Sequence, residues 1–402
     1  MNFSSRTDLT INSGLNDIFK TRDSQTISFA GGLPDTNLFP RQELADALQK
    51  VIISDDPQIL QYAGKQFLPL REKLASKMQK EGLLTQPSEI LLTQGAQQAL
   101  SLIAQLLIDP GDGLIVEGPT YVGALAAFDA VEPSFYEIPV ENDGINLDVL
   151  EHVLKHHEVK MIYTIPDFQN PTGTVMSVAK RKALVKLANR YDVMIVEDGA
   201  YRDLRYSGTQ LPLIKQFDTQ NRVIYVGSFS KILAPGIRLG WLVTSPEILS
   251  DLNALKNSCD IESSNLILRG VNQYLEDNDL NQHISEIHRV YRHKKEVMHQ
   301  ALINYMPDSV KFNNPDGGFF IWLQLPDEYD MNQFLNSYLL PKQNVTLVPS
   351  KNLFASKNIL NQARLNFTGS TDQQITEGIK RLGSGLKDYL MNKTVFCKKI
   401  YN

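Results

Sequence analysis

The sequence predicts an α/β fold: a mostly parallel central sheet of seven strands flanked by helices, joined to a smaller α+β domain. Three observations carry this expectation. Between residues 89 and 244, short apolar runs rich in β-branched residues alternate with stretches of helical spacing, the pattern of parallel strands linked by crossover helices. From Asn281 to Tyr305 a long amphipathic stretch interrupts the alternation, and its length suits a connector between domains. Past Lys311 the pattern is that of a separate α+β unit: strands Phe319–Leu325, Val345–Val348 and Arg364–Phe367, then a helix Asp372–Leu390. A chain of 402 residues exceeds one typical core. The expected division is 1–45 as the N-terminal segment of the small domain, 46–285 as the large domain and 286–402 as the rest of the small domain.

Composition narrows the class. Apolar residues make up 42% and charged residues 21%, ordinary values for a globular chain. A net charge of −5 gives no support for nucleic acid or an anionic membrane as partner. Cys259 and Cys397 are the two cysteines, far apart and without a CxxC pair, which fits a reducing cytoplasm and excludes a cysteine-built metal site. The seven histidines show no HExxH pattern, and His156-His157 sits in a charged run. Residues 1–14 are polar, unlike a signal peptide, and the apolar stretch around Leu100–Ile108 is too short to span a bilayer.

In chain order, Ile27-Ser-Phe-Ala-Gly-Gly-Leu-Pro34 reads as a short strand entering a tight turn. Its paired glycines, Gly32 among them, either shape that turn or let backbone approach a ligand closely. Pro40 starts a helix over Arg41–Ile53, and a polar aromatic loop with Tyr62 precedes a second helix, Leu70–Glu81. Strand Ile90–Thr93 leads to Gly95-Ala96-Gln97, opening a helix to Ile108. Small residues there leave backbone N–H groups free for an anion, or Gly95 only shapes the turn. Strands Gly113–Glu117, Phe135–Pro139 and Lys160–Ile165 follow; Tyr121 lies just after the first and Asn170 just after the last. Helix Val178–Tyr191 leads to strand Val193–Asp198, whose terminal carboxylate needs a partner if buried: a helix N-cap or a protonated pyridinium nitrogen.

Strand Val223–Val226 delivers Ser228-Phe-Ser-Lys231 into a loop broken by Pro235 and Gly236, with Arg238 seven residues after the lysine and strand Leu239–Thr244 beyond. Lys231 is then either a solvated surface charge or an amine placed for a Schiff base beside phosphate-gripping hydroxyls and an arginine. Arg364 is either an edge charge or a bidentate carboxylate clamp. Gly95, Tyr121, Asn170, Asp198 and Ser228–Lys231 all fall just past strand ends, where open α/β sheets collect their ligands.

Taken together and in this order, these motifs resemble the fold-type-I pyridoxal-phosphate (PLP) aminotransferases of class I/II. The opening Ile27-Ser-Phe-Ala-Gly-Gly-Leu-Pro-Asp35 with Leu38-Phe-Pro40 is similar to the branch holding 2-aminoadipate and kynurenine aminotransferases. The resemblance runs from about residue 15 to 390. It implies that 46–285 binds PLP, with Lys231 forming the internal aldimine and then acting as the base of the proton shift. Asp198 would pair with the pyridinium nitrogen, Asn170 and Tyr201 would bond the 3-oxygen, and Tyr121 would stack on the ring. Gly95, Ala96, Gln97, Ser228, Ser230 and Arg238 would hold the phosphate, joined by Tyr62 of a neighbouring subunit, so a homodimer with shared sites is implied. Arg364 would clamp the substrate α-carboxylate, with Asn170, the Gly32 backbone and Ser13 nearby. The implied activity is ping-pong transfer of an α-amino group, through pyridoxamine phosphate, from an L-amino acid to a 2-oxo acid such as 2-oxoglutarate. One departure bears on the donor. Ser13-Gly-Leu-Asn16 puts asparagine where aminoadipate-type members carry arginine, which favours a broad, aromatic or aliphatic preference over 2-aminoadipate.

Other readings compete. Ser228-Phe-Ser-Lys231 satisfies the S-x-x-K pattern of serine acyl-transfer enzymes, but no SDN-type or KTG motif accompanies it. The same branch includes effector domains of transcription regulators, whose DNA-binding domain would need more than the 26 residues ahead of Ile27. β-Lyase or decarboxylase chemistry on the same scaffold stays open.

Overall fold

The apolar runs of the first two-thirds of the chain fold as one sheet in a computed structural model that describes residues 25–62 and 67–400. The first elements are β1 (Ile27–Ser28), α1 (Arg41–Ile52) and α2 (Leu68–Lys80). Then come β2 (Ile90–Thr93), α3 (Ala96–Leu107), β3 (Gly113–Gly118), α4 (Val122–Asp129), β4 (Ser134–Glu141), β5 (Gly144–Ile145) and α5 (Leu147–His156). The large sheet closes with β6 (Val159–Thr164), α6 (Val178–Tyr191), β7 (Met194–Asp198), β8 (Val223–Ser228) and β9 (Gly240–Val243). Helices α7 (Pro246–Asp260), α8 (Asn265–Asp277) and the 26-residue α9 (Leu280–Tyr305) lead to β10 (Lys311–Phe312) and β11 (Phe320–Gln324). The last elements are β12 (Val345–Thr346), β13 (Val348–Pro349), β14 (Gln362–Asn366) and the long helix α10 (Asp372–Ile400).

The large sheet has the order β2-β9-β8-β7-β6-β3-β4-β5. Strands β8 through β4 are parallel neighbours, and β9 runs antiparallel to both β2 and β8. The seven expected strands are all present; an eighth, β5, adds a two-residue antiparallel step on β4. A Gly-Ile pair is too short to carry any periodicity, so it has no signal in the sequence. Strands β2, β7 and β8 are buried at every position, with the acids Glu197 and Asp198 at the end of β7 buried as well.

Helix ends follow local chemistry. Ser177 accepts from Lys180 N to start α6, Asn146 accepts from Val149 N to start α5, and Asp192 at φ 58° closes α6 in the left-handed region. One expectation fails here: Val345–Val348 is two strands. β12 pairs parallel with β1, whereas β13 pairs antiparallel with β14 in the four-stranded sheet β10-β11-β14-β13. The chain changes sheets at the buried Leu347, and a four-residue apolar run does not reveal which partner each half takes. The N-terminal segment is threaded between these sheets, since Phe29 N donates to Thr346 O and Phe29 O accepts from Asn366 N. Among the described residues no helix is long and apolar enough to cross a membrane.

Candidate active site

The carboxyl ends of β3, β6, β7 and β8 open onto a cavity of about 380 Å³. Its lysine is set by the turn after β8. There the buried Phe229 packs on Trp241, with ring centroids 5.2 Å apart, and Ile232 and Leu233 are buried behind it. That anchoring aims Lys231 inward, where Nζ donates to Gly32 O at 2.8 Å and lies 5.6 Å from the Phe319 ring centre and 5.8 Å from that of Tyr201. Burial of the ammonium, reinforced by the positive charges of Arg364 and Arg238 and opposed by Asp198, pulls the lysine down to about 8. An amine titrating there is still mainly protonated near physiological pH, but its neutral, nucleophilic fraction is far larger than that of an ordinary lysine.

Asp198 closes β7 and is buried. Its Oδ2 accepts from Tyr163 Oη at 2.8 Å and its Oδ1 from Ala200 N at 3.0 Å. Burial pushes this carboxyl up, while those two bonds and Lys231 oppose the shift. A carboxylate so enclosed is stabilised by a cationic partner in the cavity.

Opposite lies an anion cradle. No side chain caps the start of α3, so its first N–H groups face the cavity at Ala96 and Gln97. Gly95 holds φ +79°, and a Cβ there would come within 2.8 Å of the Arg238 guanidinium. The arginine, itself left-handed at φ 52°, is steadied by its bond to Gln94 O at 3.1 Å. Ser228 and Ser230 add hydroxyls, with Ser230 N donating to Ser228 Oγ at 3.1 Å. Tyr121 walls the same space, its hydroxyl 3.4 Å from Gln97 Oε1.

The remaining wall comes from β14 and the strap before α1. Arg364 donates through Nη1 to Asn170 Oδ1 at 2.8 Å and through Nη2 to Ala30 O at 2.7 Å, with its guanidinium 4.3 Å above the Phe320 ring centre. Burial lowers it to about 10, and its Nε has no partner among the described groups. Asn170 Nδ2 points to Tyr201 Oη at 3.4 Å. Four successive strap carbonyls are each taken by a side chain: Ala30 by Arg364, Gly31 by Asn366, Gly32 by Lys231 and Leu33 by Thr368.

The cavity thus gathers Gly32, Ala96, Gln97, Tyr121, Asn170, Asp198, Tyr201, Ser228, Ser230, Lys231, Arg238 and Arg364, with Gly95 against Arg238. Tyr62 stands elsewhere, 67% exposed, and Ser13 lies outside the described residues. Sequence reasoning missed Tyr163, which holds Asp198, and Phe320, which floors Arg364.

The donor set suits pyridoxal phosphate: a cradle for its dianion, a carboxylate for its ring nitrogen, an aromatic face for its ring and a lysine of lowered basicity for its aldehyde. Fold and site together define a PLP-dependent enzyme. The chain belongs to the aminotransferase class I and II family, whose model matches residues 26–382, and it is an aminotransferase. It is 41% identical over 372 residues to aromatic-amino-acid aminotransferase 1 of Thermococcus litoralis, covering 91% of this chain and 89% of that one. The kynurenine aminotransferase structure from Pyrococcus horikoshii superposes with TM-score 0.87 at 39% identity, over 97% of this chain and 96% of that one. The α-aminoadipate aminotransferase structure from Thermus thermophilus, complexed with N-(5'-phosphopyridoxyl)-L-leucine, gives TM-score 0.90 at 33% identity, over 97% and 98%.

Proposed function

We propose that this aminotransferase takes the α-amino group from L-amino acids with aromatic or aliphatic side chains and passes it to a 2-oxo acid such as 2-oxoglutarate, in two half-reactions. The observation that carries the substrate class is the inventory of cations around the cavity. Among the described residues they are Lys231, Arg238 and Arg364, and each has a task. Arg364, fixed by Asn170 and Ala30, offers its fork to the α-carboxylate; Arg238 faces the phosphate cradle; Lys231 stands between them. Among the described residues that line the cavity, a side-chain carboxylate of the donor would meet no further cation, and Leu33 and Ile165 add apolar surface to the wall. The aromatic and kynurenine specificities of the relatives agree with this reading, and so does the leucine adduct in the α-aminoadipate enzyme.

When bound, the cofactor supplies an electron sink for the pair released as the Cα–H bond breaks. The chain's own residues do the rest. Lys231 Nζ would anchor the cofactor and, once displaced by the substrate amine, would take the Cα proton and deliver it two atoms along in a 1,3 shift, a role its lowered basicity suits. Asp198, steadied by Tyr163 and Ala200 N, keeps the ring nitrogen protonated. Arg364 and Asn170 orient the substrate so that the Cα–H bond faces the lysine. Tyr62, with Ile52, Ile53, Leu60 and Leu68, forms a set of exposed apolar side chains close in sequence, which supports a homodimer in which Tyr62 serves the partner's site.

The test is a panel of L-amino acids with 2-oxoglutarate as acceptor, following the visible absorbance of the bound cofactor. Aromatic and aliphatic donors are expected to turn over with kcat/KM well above that of 2-aminoadipate and aspartate. A clear preference for an acidic donor would overturn the substrate assignment.

A further inference from the structure

Beneath the cavity lies a buried polar relay that the reaction chemistry does not use. Glu117, one residue before the end of β3, is 1% exposed. It accepts from Thr164 Oγ1 at 2.5 Å, from Ile165 N at 3.2 Å and from Gln169 Nε2 at 3.1 Å. The same Gln169 nitrogen donates to Pro119 O at 2.7 Å. Its carbonyl Oε1 accepts from Thr172 N at 2.9 Å and Thr172 Oγ1 at 2.7 Å. Gln169 therefore bolts together two loops: the one after β3, which presents Tyr121, and the one after β6, which presents Asn170.

A second clamp grips the same segment from below. Asp167 accepts from Arg181 Nη2 at 2.7 Å, and Arg202 Nη1 lies at 3.4 Å. Between the two clamps Phe168 is held at φ 53°, a left-handed backbone uncommon for an aromatic residue and maintained by what surrounds it.

We infer that Glu117 and Gln169 are positioning residues, which set the Asn170 and Tyr121 loops to the spacing of the cofactor ring without touching it. This rests on the reading that Asn170 meets the ring's 3-oxygen and Tyr121 its face. The partners of Glu117 in the relay, Thr164, Ile165 N and Gln169, are all neutral donors with no cation among them, and burial, with Asp198 adding repulsion, lifts its carboxyl to about 7. What the relay needs is an acceptor for Ile165 N and Gln169 and a partner for Thr164, and a primary amide supplies both.

Three single variants of the PLP-loaded enzyme test this. Gln169→Met removes the bolt at similar length and should weaken PLP affinity about tenfold, within the range that small misplacements cost at a site. It should also shift the pKa of the cofactor's visible absorption band upward by at least half a unit, as Asn170 loses its hold on the 3-oxygen. Glu117→Leu should do the same, and the double variant should cost little more than either alone, because both break one connection. Glu117→Gln should stay within twofold of the parent in both readouts. If Gln169→Met lowers Tm yet leaves affinity and band pKa unchanged, the relay is structural only and the inference fails. A large shift in Glu117→Gln would show that charge matters, and overturn it as well. Both readouts are independent of substrate choice, so they stand even if the donor assignment falls.

Discussion

Lys231 concentrates the chemistry of the molecule in one atom, and its environment makes a quantitative statement about rate. An amine attacks an aldehyde only when unprotonated, and this one titrates near 8 because burial and two arginines disfavour its charged form. The rate at which cofactor-free protein captures PLP should therefore rise with pH through about 8 and level off above it. Stopped-flow absorbance would measure it, and an inflection near the ordinary lysine value would show that the pocket does not depress the amine. Arg364 makes the complementary case for binding. Arg364→Met removes the charged fork and leaves Asn170 Oδ1 without its donor. A hydrogen bond to a charged group contributes about 1.5–3 kcal/mol, so kcat/KM should fall roughly 10–100-fold, mainly through KM. The donor residues themselves were legible in the sequence, because Asp198, Asn170 and Lys231 follow strand ends. Tyr163 and Gln169 were not, because their roles come from partners 35 and 52 residues away, Asp198 and Glu117, and no local pattern announces such a pairing.

At the level of elements, the turn into α3 shows how backbone geometry becomes recognition. Gly95 has φ +79°, Arg238 stands where its Cβ would be, and a Cβ on Gly240 would come within 2.8 Å of the Gly95 carbonyl carbon. Three segments thus meet at van der Waals contact around the phosphate cradle. Gly95→Ala is expected to cost about 1–3 kcal/mol through the disfavoured φ and displacement of Arg238. The cost should appear as weaker PLP binding in a fluorescence titration, with little loss of secondary structure by circular dichroism. Helices and strands were readable here, because their periods and caps are local. The division of Val345–Val348 between two sheets was not, since pairing partners are a tertiary choice. Nor could sequence show that the strap carbonyls would be bound one after another by side chains of β14, of the residues just past it and of the turn after β8.

For the whole molecule, the expected assembly makes its own prediction. If exposed Tyr62 completes a partner's phosphate site, Tyr62→Ala should weaken PLP binding although the residue stands outside its own chain's cavity. Sedimentation of the PLP-loaded enzyme should give twice the chain mass; a monomer with full activity would rule out shared sites. The order of the large sheet is what makes one cavity out of distant segments, because parallel strands bring all their carboxyl ends to one side.

That convergence has a consequence for the protein while it is being made. The phosphate cradle, Asp198 and Lys231 are all encoded by residue 238, but Arg364 comes 126 residues later. At synthesis rates of about 5–20 residues per second, the interval is roughly 6–25 s. During it a nascent chain carries Lys231 and the cradle residues without Arg364, which orders Ala30 and Asn170 and helps to lower the lysine's basicity. A growing chain could thus own its cofactor-binding half before its substrate clamp exists. Free aldehyde in the cell would then meet Lys231 earlier than any amino acid could be properly seated beside it.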